Sequence, residues 1–153
     1  MKAVTLWEPW ASLVAIGAKP YEFRKWAAPG SIVGDRIAIH AGVRKVVPAE
    51  VRAIIMNLRG SESGRAALRP EIALPFLDRL LLSPGLARTG MVVATAKLGR
   101  PVRSDRIMSE FGVVLNDSDR AGHFNFAWPL LDVEEMRPPI EARGAQGFWE
   151  WMP

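Results

Sequence analysis

Three charged side chains lie close together near the start of the chain, and they are of types that hold phosphates and base edges. Glu22 and Arg24 are two residues apart, so on a β-strand they share one face, and Lys19 lies just before that strand. Lys19 can contact a phosphate or act as a base, Glu22 can accept from an exocyclic amine, and Arg24 can grip a phosphate or carbonyl. The same alternation predicts that Tyr21 and Phe23 face the core. The alternative is an exposed strand face with one surface ion pair.

Five further residues are candidates for the same site. His40 ends the clearest predicted strand and can act as an acid or base near neutral pH, or it is a structural histidine bonded to the backbone. Trp26 and Trp128, two of six tryptophans, flank the charged cluster and a late strand and can stack on bases, although most buried tryptophans belong to a core. Gln146 and Gly147 can read a base edge through an amide and a close backbone approach, or simply form a turn.

Short strands and helices must position these residues. Strands are predicted over 2–6, 21–26, 36–41, 90–99, 124–133 with a break at Pro129, and the end of 143–151; helices are predicted after Pro9 and within 49–86. We find no βαβ alternation and no glycine-rich phosphate loop. The pattern predicts an α+β fold, a small β-barrel of five or six strands decorated with helices. We expect one domain over 1–153, with a helical insert at about 49–86.

Composition excludes several classes of protein. The chain has 153 residues, 49% of them hydrophobic and 24% charged, which is typical of a globular domain. It contains no cysteine, so disulfides, thiolate metal sites and a cysteine nucleophile are excluded. No apolar run approaches the roughly 20 residues that a membrane-spanning helix needs. We therefore expect a cytoplasmic protein without a membrane partner.

The charge distribution favours a polyanionic partner. Residues 1–102 carry 15 lysines and arginines against 7 aspartates and glutamates, whereas residues 103–153 carry 5 against 9. Arginine supplies 15 of the 20 basic residues, and its planar fork suits phosphates. His123, in a polar stretch, can touch a phosphate or is merely exposed. No metal-ligand spacing is found and no cofactor is predicted, apart from Mg²⁺ or Mn²⁺ held loosely by Glu22 with a substrate phosphate.

Four motifs occur in an order that is typical of one family. Residues 6–26 read L-W-E-P-W-A-S-L-V-A-I-G-A-K-P-Y-E-F-R-K-W and contain G-x-K-x-x-E-x-R, formed by Gly17, Lys19, Glu22 and Arg24. I-H-A follows at 39–41, A-W-P-L at 127–130 and R-G-A-Q-G-F-W at 143–149. Together they span nearly the whole chain. The sequence resembles the bacterial and phage branch of the ASCH (activating signal cointegrator homology) family.

This resemblance implies a PUA-like β-barrel with a cleft that contains the Lys-Glu-Arg cluster. Family members are regarded mainly as RNA-binding or RNA-processing modules; some are amidohydrolases acting on N4-acetylcytidine, and others have ribonuclease activity. The amidohydrolases use a lysine, a threonine three residues later and a distant glutamate. Lys19 matches the lysine, but Glu22 stands at the threonine position, where a carboxylate cannot replace the hydroxyl nucleophile. The strand around 93–97 also lacks a glutamate.

Three functions remain open from the sequence. The leading hypothesis is a module that binds single-stranded RNA or a nucleotide with an exposed, possibly modified, base. The second is a hydrolase, either a ribonuclease or an amidohydrolase on a modified nucleoside, with Lys19 or His40 as base and Glu22 in support. The third is an adaptor whose basic face docks a polyanionic partner.

Overall fold

A computed structural model describes residues 1–61, 63–112 and 125–153, so His123 lies outside the described residues. The strands are β1 (Lys2–Leu6), β2 (Tyr21–Arg24), β3 (Arg36–Ala41), β4 (Met91–Leu98), β5 (Val102–Arg103), β6 (Phe126–Glu141) and β7 (Phe148–Glu150). The helices are α1 (Trp10–Ala15), α2 (Pro48–Arg59), α3 (Pro70–Leu82) and α4 (Met108–Phe111). This is the α+β class that the sequence predicts, with the two-residue β5 as an additional strand.

The strands form one sheet in the order β2-β6-β4-β3-β1-β7, with β5 also paired to β6. β1 and β3 are parallel, although the sequence shows no βαβ alternation; every other pair is antiparallel. The chain between β1 and β3 supplies α1 and β2, and β2 pairs with β6 at the far end of the sheet. The carboxyl ends of β1 and β3 therefore meet at the same edge of the sheet.

The sheet curls until its two end strands approach each other. The Phe148 ring on β7 stacks on the Trp128 ring on β6, with centroids 5.3 Å apart and planes at 10°. Arg24 on β2 donates from Nη2 to the Thr5 carbonyl on β1 at 3.2 Å. Side chains therefore bridge the gap between β2 and β7, which the sheet pairing leaves open, and the shape is that of a partly closed barrel.

The prediction that a strand breaks at Pro129 is wrong. β6 passes through this proline and continues beyond residue 133 to Glu141. Pro129 lies opposite Tyr21, the first residue of β2, and its carbonyl accepts from Gly99 N, just past the end of β4. Because both neighbouring strands end at this point, the missing N–H of the proline interrupts neither ladder.

The core has two main parts, which share α1. One face of the curled sheet packs Val4, Leu6, Ile37 and Ile39 against Val14 of α1, following the two-residue alternation of strands. A second cluster joins Leu13, on another side of α1, to α2 and α3. The longest described helix, α3, has 13 residues, and none of the described helices could span a bilayer.

Candidate nucleotide-binding site

A glycine turn after α1 places Lys19 beside β2. Gly17 has φ +80°, a left-handed conformation that favours glycine, and it lets the N–H groups of Ala18 and Lys19 both donate to the Leu13 carbonyl. Arg69, just before α3, holds the turn from outside: its guanidinium donates to the Gly17 carbonyl at 2.7 Å and its backbone N–H donates to the Ala18 carbonyl at 2.9 Å. The glycine of the G-x-K-x-x-E-x-R motif therefore has a backbone role.

Lys19, Glu22 and Arg24 form one buried charge cluster. Lys19 Nζ lies 3.1 Å from Glu22 Oε2, and Arg24 Nε lies 2.9 Å from Glu22 Oε1. Lys19 and Glu22 are only 6% and 7% exposed, so the alternative of a surface ion pair is wrong. Tyr21 and Phe23 are half-buried and pack, as predicted, against a small apolar cluster, while Glu22 on the opposite face is buried as well. Glu22 can lie there because two cationic side chains compensate its charge, which leaves the cluster with a net charge of +1.

Arg24 has a donor that the described residues do not satisfy. Its Nε is close to Glu22, but the N–H is not aligned with an acceptor, and this buried nitrogen has no hydrogen-bond partner among the described residues. The Nη2 of the same guanidinium donates to the Thr5 carbonyl, which fixes the plane of the group. Because this nitrogen has no accessible surface, a bound molecule would meet Arg24 only at the part of the side chain that lines the cavity beside Glu22.

A cavity of about 730 Å³ opens over this cluster, within the usual range of about 300–1,000 Å³ for small-molecule sites. Five of the residues predicted for the site line it: Glu22, Arg24, His40, Gln146 and Gly147. Lys19 does not line it. Its ammonium lies behind Glu22, donates to the Tyr21 carbonyl, and is 5.9 Å and 5.2 Å from the ring centroids of Trp10 and Phe23. Lys19 therefore positions Glu22 and has no direct access to the cavity.

The structure adds aromatic and basic residues that the sequence analysis did not select. Trp7, Trp10 and Phe23 line the cavity, and Arg44 lies at its edge with the guanidinium carbon 4.7 Å from the Trp7 ring centroid. Trp7 follows β1 and Arg44 follows β3, and the two meet because these strands are parallel. Only knowledge of that pairing could have pointed to them.

The predicted base stacking on Trp128 is not possible in this structure, because its ring has no accessible surface. The indole N–H donates to the Trp26 carbonyl at 3.1 Å, and the ring contacts Phe148 and Trp26. Trp26 is 43% exposed, but it does not line the cavity. These two tryptophans close the curled sheet next to the site.

His40 forms part of the cavity wall but uses both ring nitrogens in contacts with the protein. Nε2–H donates to the Ala142 carbonyl at 3.0 Å, and Nδ1 lies 3.2 Å from Thr5 Oγ1. Burial lowers the pKa of His40 below its usual 6.5, an effect that the Ala142 carbonyl partly offsets. His40 is therefore neutral near pH 7, and its geometry is that of a structural histidine.

The loop between β6 and β7 lies directly on His40. A Cβ added at Gly144 would be 2.4 Å from His40 Cε1 and 2.8 Å from Thr5 Oγ1, so only a glycine fits here. The Thr5 hydroxyl also contacts the Ala145 carbonyl at 3.1 Å. These contacts hold the following residues, Gln146 and Gly147, at the cavity wall.

The chain is similar to ASCH proteins. The crystal structure of ASCH from Zymomonas mobilis has 18% sequence identity and a TM-score of 0.48, with 92% of this chain and 72% of that chain covered. Two point variants of the same protein give 19% and 18% identity with TM-scores of 0.47 and 0.48. No model of a protein family and no curated protein matches the chain.

The donor set of the cavity does not fit a divalent cation. Among the described residues there is no group of three or more histidines and carboxylates that could hold a metal ion. The one buried carboxylate of the charge cluster, Glu22, lies between two cationic side chains, which would repel Mg²⁺ or Mn²⁺.

Proposed function

We propose that the chain is an ASCH-type module that binds single-stranded RNA, or a nucleotide with an exposed base, in this cavity. The observation that supports the proposal most is that the Glu22 carboxylate and the Arg24 guanidinium lie side by side and both residues line the cavity. An acceptor beside a donor matches the edge of a base, which offers amines next to carbonyls or ring nitrogens. Tryptophan rings on the wall supply surfaces on which a base can stack.

A hydrolase has less support from the same geometry. Lys19, the candidate base, lies behind Glu22 and its ammonium contacts the Tyr21 carbonyl. His40, the other candidate, has both ring nitrogens in contact with protein atoms. A general base needs hydrogen-bond reach to the proton that it removes. Binding without cleavage is therefore the function that we propose.

The first test is a fluorescence anisotropy titration with labelled single-stranded RNA, the same sequence as DNA, and heparin as competitor. We expect RNA to bind more tightly than DNA, to survive moderate heparin, and to remain intact when checked on a gel afterwards. The affinity should fall as salt rises, because phosphate contacts release counterions. Absence of binding at low salt would refute the proposal, equal binding of all three polyanions would favour an adaptor, and shortened RNA would favour a nuclease.

A substitution of Arg24 tests whether RNA binds in the cavity. Arg24→Gln removes the guanidinium beside Glu22 from the cavity wall, and because hydrogen bonds to charged groups contribute about 1.5–3 kcal/mol, we expect RNA affinity to fall about tenfold or more. Arg59→Gln is the matched control, since Arg59 is an exposed arginine on α2 paired with Asp78 and does not line the cavity. Equal affinities for both variants would place the RNA elsewhere on the surface.

A further inference from the structure

The outer wall of the cavity differs in character from its inner wall. Trp7 is 60% exposed although it is a large aromatic residue, and it lies with Arg44 at the open side. Arg44 is held by Glu50 in the first turn of α2, through Nη1–Oε2 at 3.1 Å and Nη2–Oε1 at 2.7 Å. Both partners of this ion pair are about half exposed, whereas Lys19 and Glu22 are buried.

The backbone fixes the position of this outer pair. Gly42 lies between β3 and Arg44, and a Cβ at this position would be 3.4 Å from Trp7 Cδ1 and 3.3 Å from Thr5 Cγ2. Its N–H donates to the Leu6 carbonyl at 2.8 Å. The Trp7 ring therefore lies close against the backbone of the chain after β3, and the Arg44 guanidinium lies over that ring.

The two walls are suited to different parts of one ligand. The inner wall offers buried donors beside the Glu22 carboxylate, an acceptor that repels phosphate but accepts from the amines of a base edge. The outer wall offers an exposed guanidinium whose only described acid partner is a carboxylate at the surface, and exposed ion pairs contribute little to stability. A phosphate can therefore replace Glu50 at small cost, and arginine binds phosphate through the same two-pronged geometry as carboxylate.

The geometry points to a phosphorylated nucleotide as the ligand, with its base at Glu22 and Arg24, stacked on Trp7, and its phosphate on Arg44. This inference rests on the proposed function and deepens it, because it specifies a nucleoside 5′-phosphate, free or as one unit of an RNA strand. It also gives α2 a part in the site: Glu50 holds Arg44 in position before binding and competes with the phosphate.

Isothermal titration calorimetry with the four ribonucleosides and their 5′-monophosphates tests the assignment. For the base that binds, we expect the monophosphate to bind at least tenfold more tightly than the nucleoside. Arg44→Gln should abolish that difference and change nucleoside affinity less than twofold. Trp7→Ala should weaken both ligands at least tenfold, since stacking contributes to both. Arg59→Gln, which removes one exposed arginine from the same helix region, should leave all affinities unchanged.

Replacement of Glu50, the acid partner of Arg44, should change monophosphate affinity in the opposite direction from Arg44→Gln. Glu50→Gln frees Arg44 and should tighten monophosphate binding several-fold without a change for the nucleoside, whereas Asp78→Asn, which frees Arg59, should change neither. A 5′-phosphorylated dinucleotide then distinguishes the two possible ligands. If it binds more tightly than the monophosphate, the ligand is an RNA strand; if it binds equally, the ligand is a free nucleotide.

Two results would overturn the inference while leaving the proposed function intact. One is equal affinity for nucleoside and monophosphate in the parent protein. The other is an Arg44→Gln variant, folded by circular dichroism, that loses affinity for both ligands to the same extent. If nucleosides, monophosphates and single-stranded RNA all fail to bind at low salt, the proposed function itself is wrong.

Discussion

At the scale of single residues, Glu22 is the one carboxylate of the charge cluster and pairs with both of its cationic side chains. Its carboxylate is 3.1 Å from Lys19 Nζ and 2.9 Å from Arg24 Nε, and both it and Lys19 are almost fully buried. Such a pair adds little net stability compared with apolar residues, but loss of one partner leaves an uncompensated charge in a medium of low polarity. Glu22 is therefore needed for folding as well as for the proposed recognition of a base.

Glu22→Gln should accordingly lower the free energy of unfolding by about 3–5 kcal/mol, because Lys19 then remains buried without a counter-charge. Urea denaturation followed by circular dichroism measures the change. Glu141→Gln, at an exposed carboxylate at the end of β6, should change the free energy of unfolding by less than about 0.5 kcal/mol. A Glu22→Gln protein as stable as the parent would show that the cluster is more hydrated than its burial indicates.

His40 gives the protein a dependence on pH whose sign can be derived. The Thr5 hydroxyl has one hydrogen and two acceptors in reach, His40 Nδ1 and the Ala145 carbonyl, while Trp149 Nε1–H donates to its oxygen at 3.1 Å. With His40 neutral, Nε2–H donates to the Ala142 carbonyl, and the one hydroxyl hydrogen of Thr5 can go to either Nδ1 or the Ala145 carbonyl. Protonation of Nδ1 would turn the hydroxyl toward Ala145, but burial opposes it and lowers the pKa of His40.

Because the pKa of His40 is lower in the folded than in the unfolded chain, the unfolded state takes up this proton first as the pH falls. The stabilising contribution is therefore complete above about pH 6.5 and is lost as the pH falls toward the lowered pKa. We expect the melting temperature to fall between pH 7.5 and 5.5, and to fall less steeply in His40→Gln. Parallel slopes for the two proteins would mean that other groups carry the pH dependence.

At the scale of elements, the local patterns predict what depends on local physics. The strand over residues 36–41 and the helix after Pro9 are both found as predicted. Trp7 and Arg44 could not be selected, because their meeting depends on the parallel pairing of β1 and β3, 29 residues apart along the chain. The burial of Trp128 could not be foreseen either, since a tryptophan that stacks on a base and one that fills a core have the same local pattern.

The β6–β7 loop yields a prediction at this scale. Gly144→Ala places a Cβ 2.4 Å from His40 Cε1, so either the imidazole or the loop must move, at a cost of about 1–3 kcal/mol. Because Gln146 and Gly147 follow in the same loop, RNA affinity should fall as well. Gly30→Ala, where a Cβ meets nothing within 4 Å, should change neither. Unchanged melting temperature and affinity in Gly144→Ala would show that the loop accommodates a methyl group.

At the scale of the whole molecule, the cavity exists because the sheet curls far enough to bring its ends together. β2 and β7 are the two ends of the strand order, yet residues of β2 and of the loop that leads into β7 line the same cavity. Phe148 holds the ends together: it stacks on Trp128 and lies 6.2 Å from the Trp26 centroid in an edge-to-face contact. The Arg24 to Thr5 hydrogen bond crosses the same gap. Closure of the sheet and the shape of the cavity are therefore coupled.

Because of this coupling, a pair of variants can distinguish the loss of sheet closure from a general loss of stability. Phe148→Ala removes the ring that bridges the gap, and because core Phe→Ala changes cost about 3–5 kcal/mol and this ring is only partly buried, we expect about 3 kcal/mol. Phe76→Ala, in the cluster between α1, α2 and α3, should destabilise the protein to a similar extent without touching the gap. Anisotropy titrations at a temperature where both variants are folded should then show weaker RNA binding for Phe148→Ala alone. Equal RNA affinity for the two variants would mean that the cavity keeps its shape without the bridge, since the strands would then hold their curl through backbone pairing and the remaining Arg24 contact.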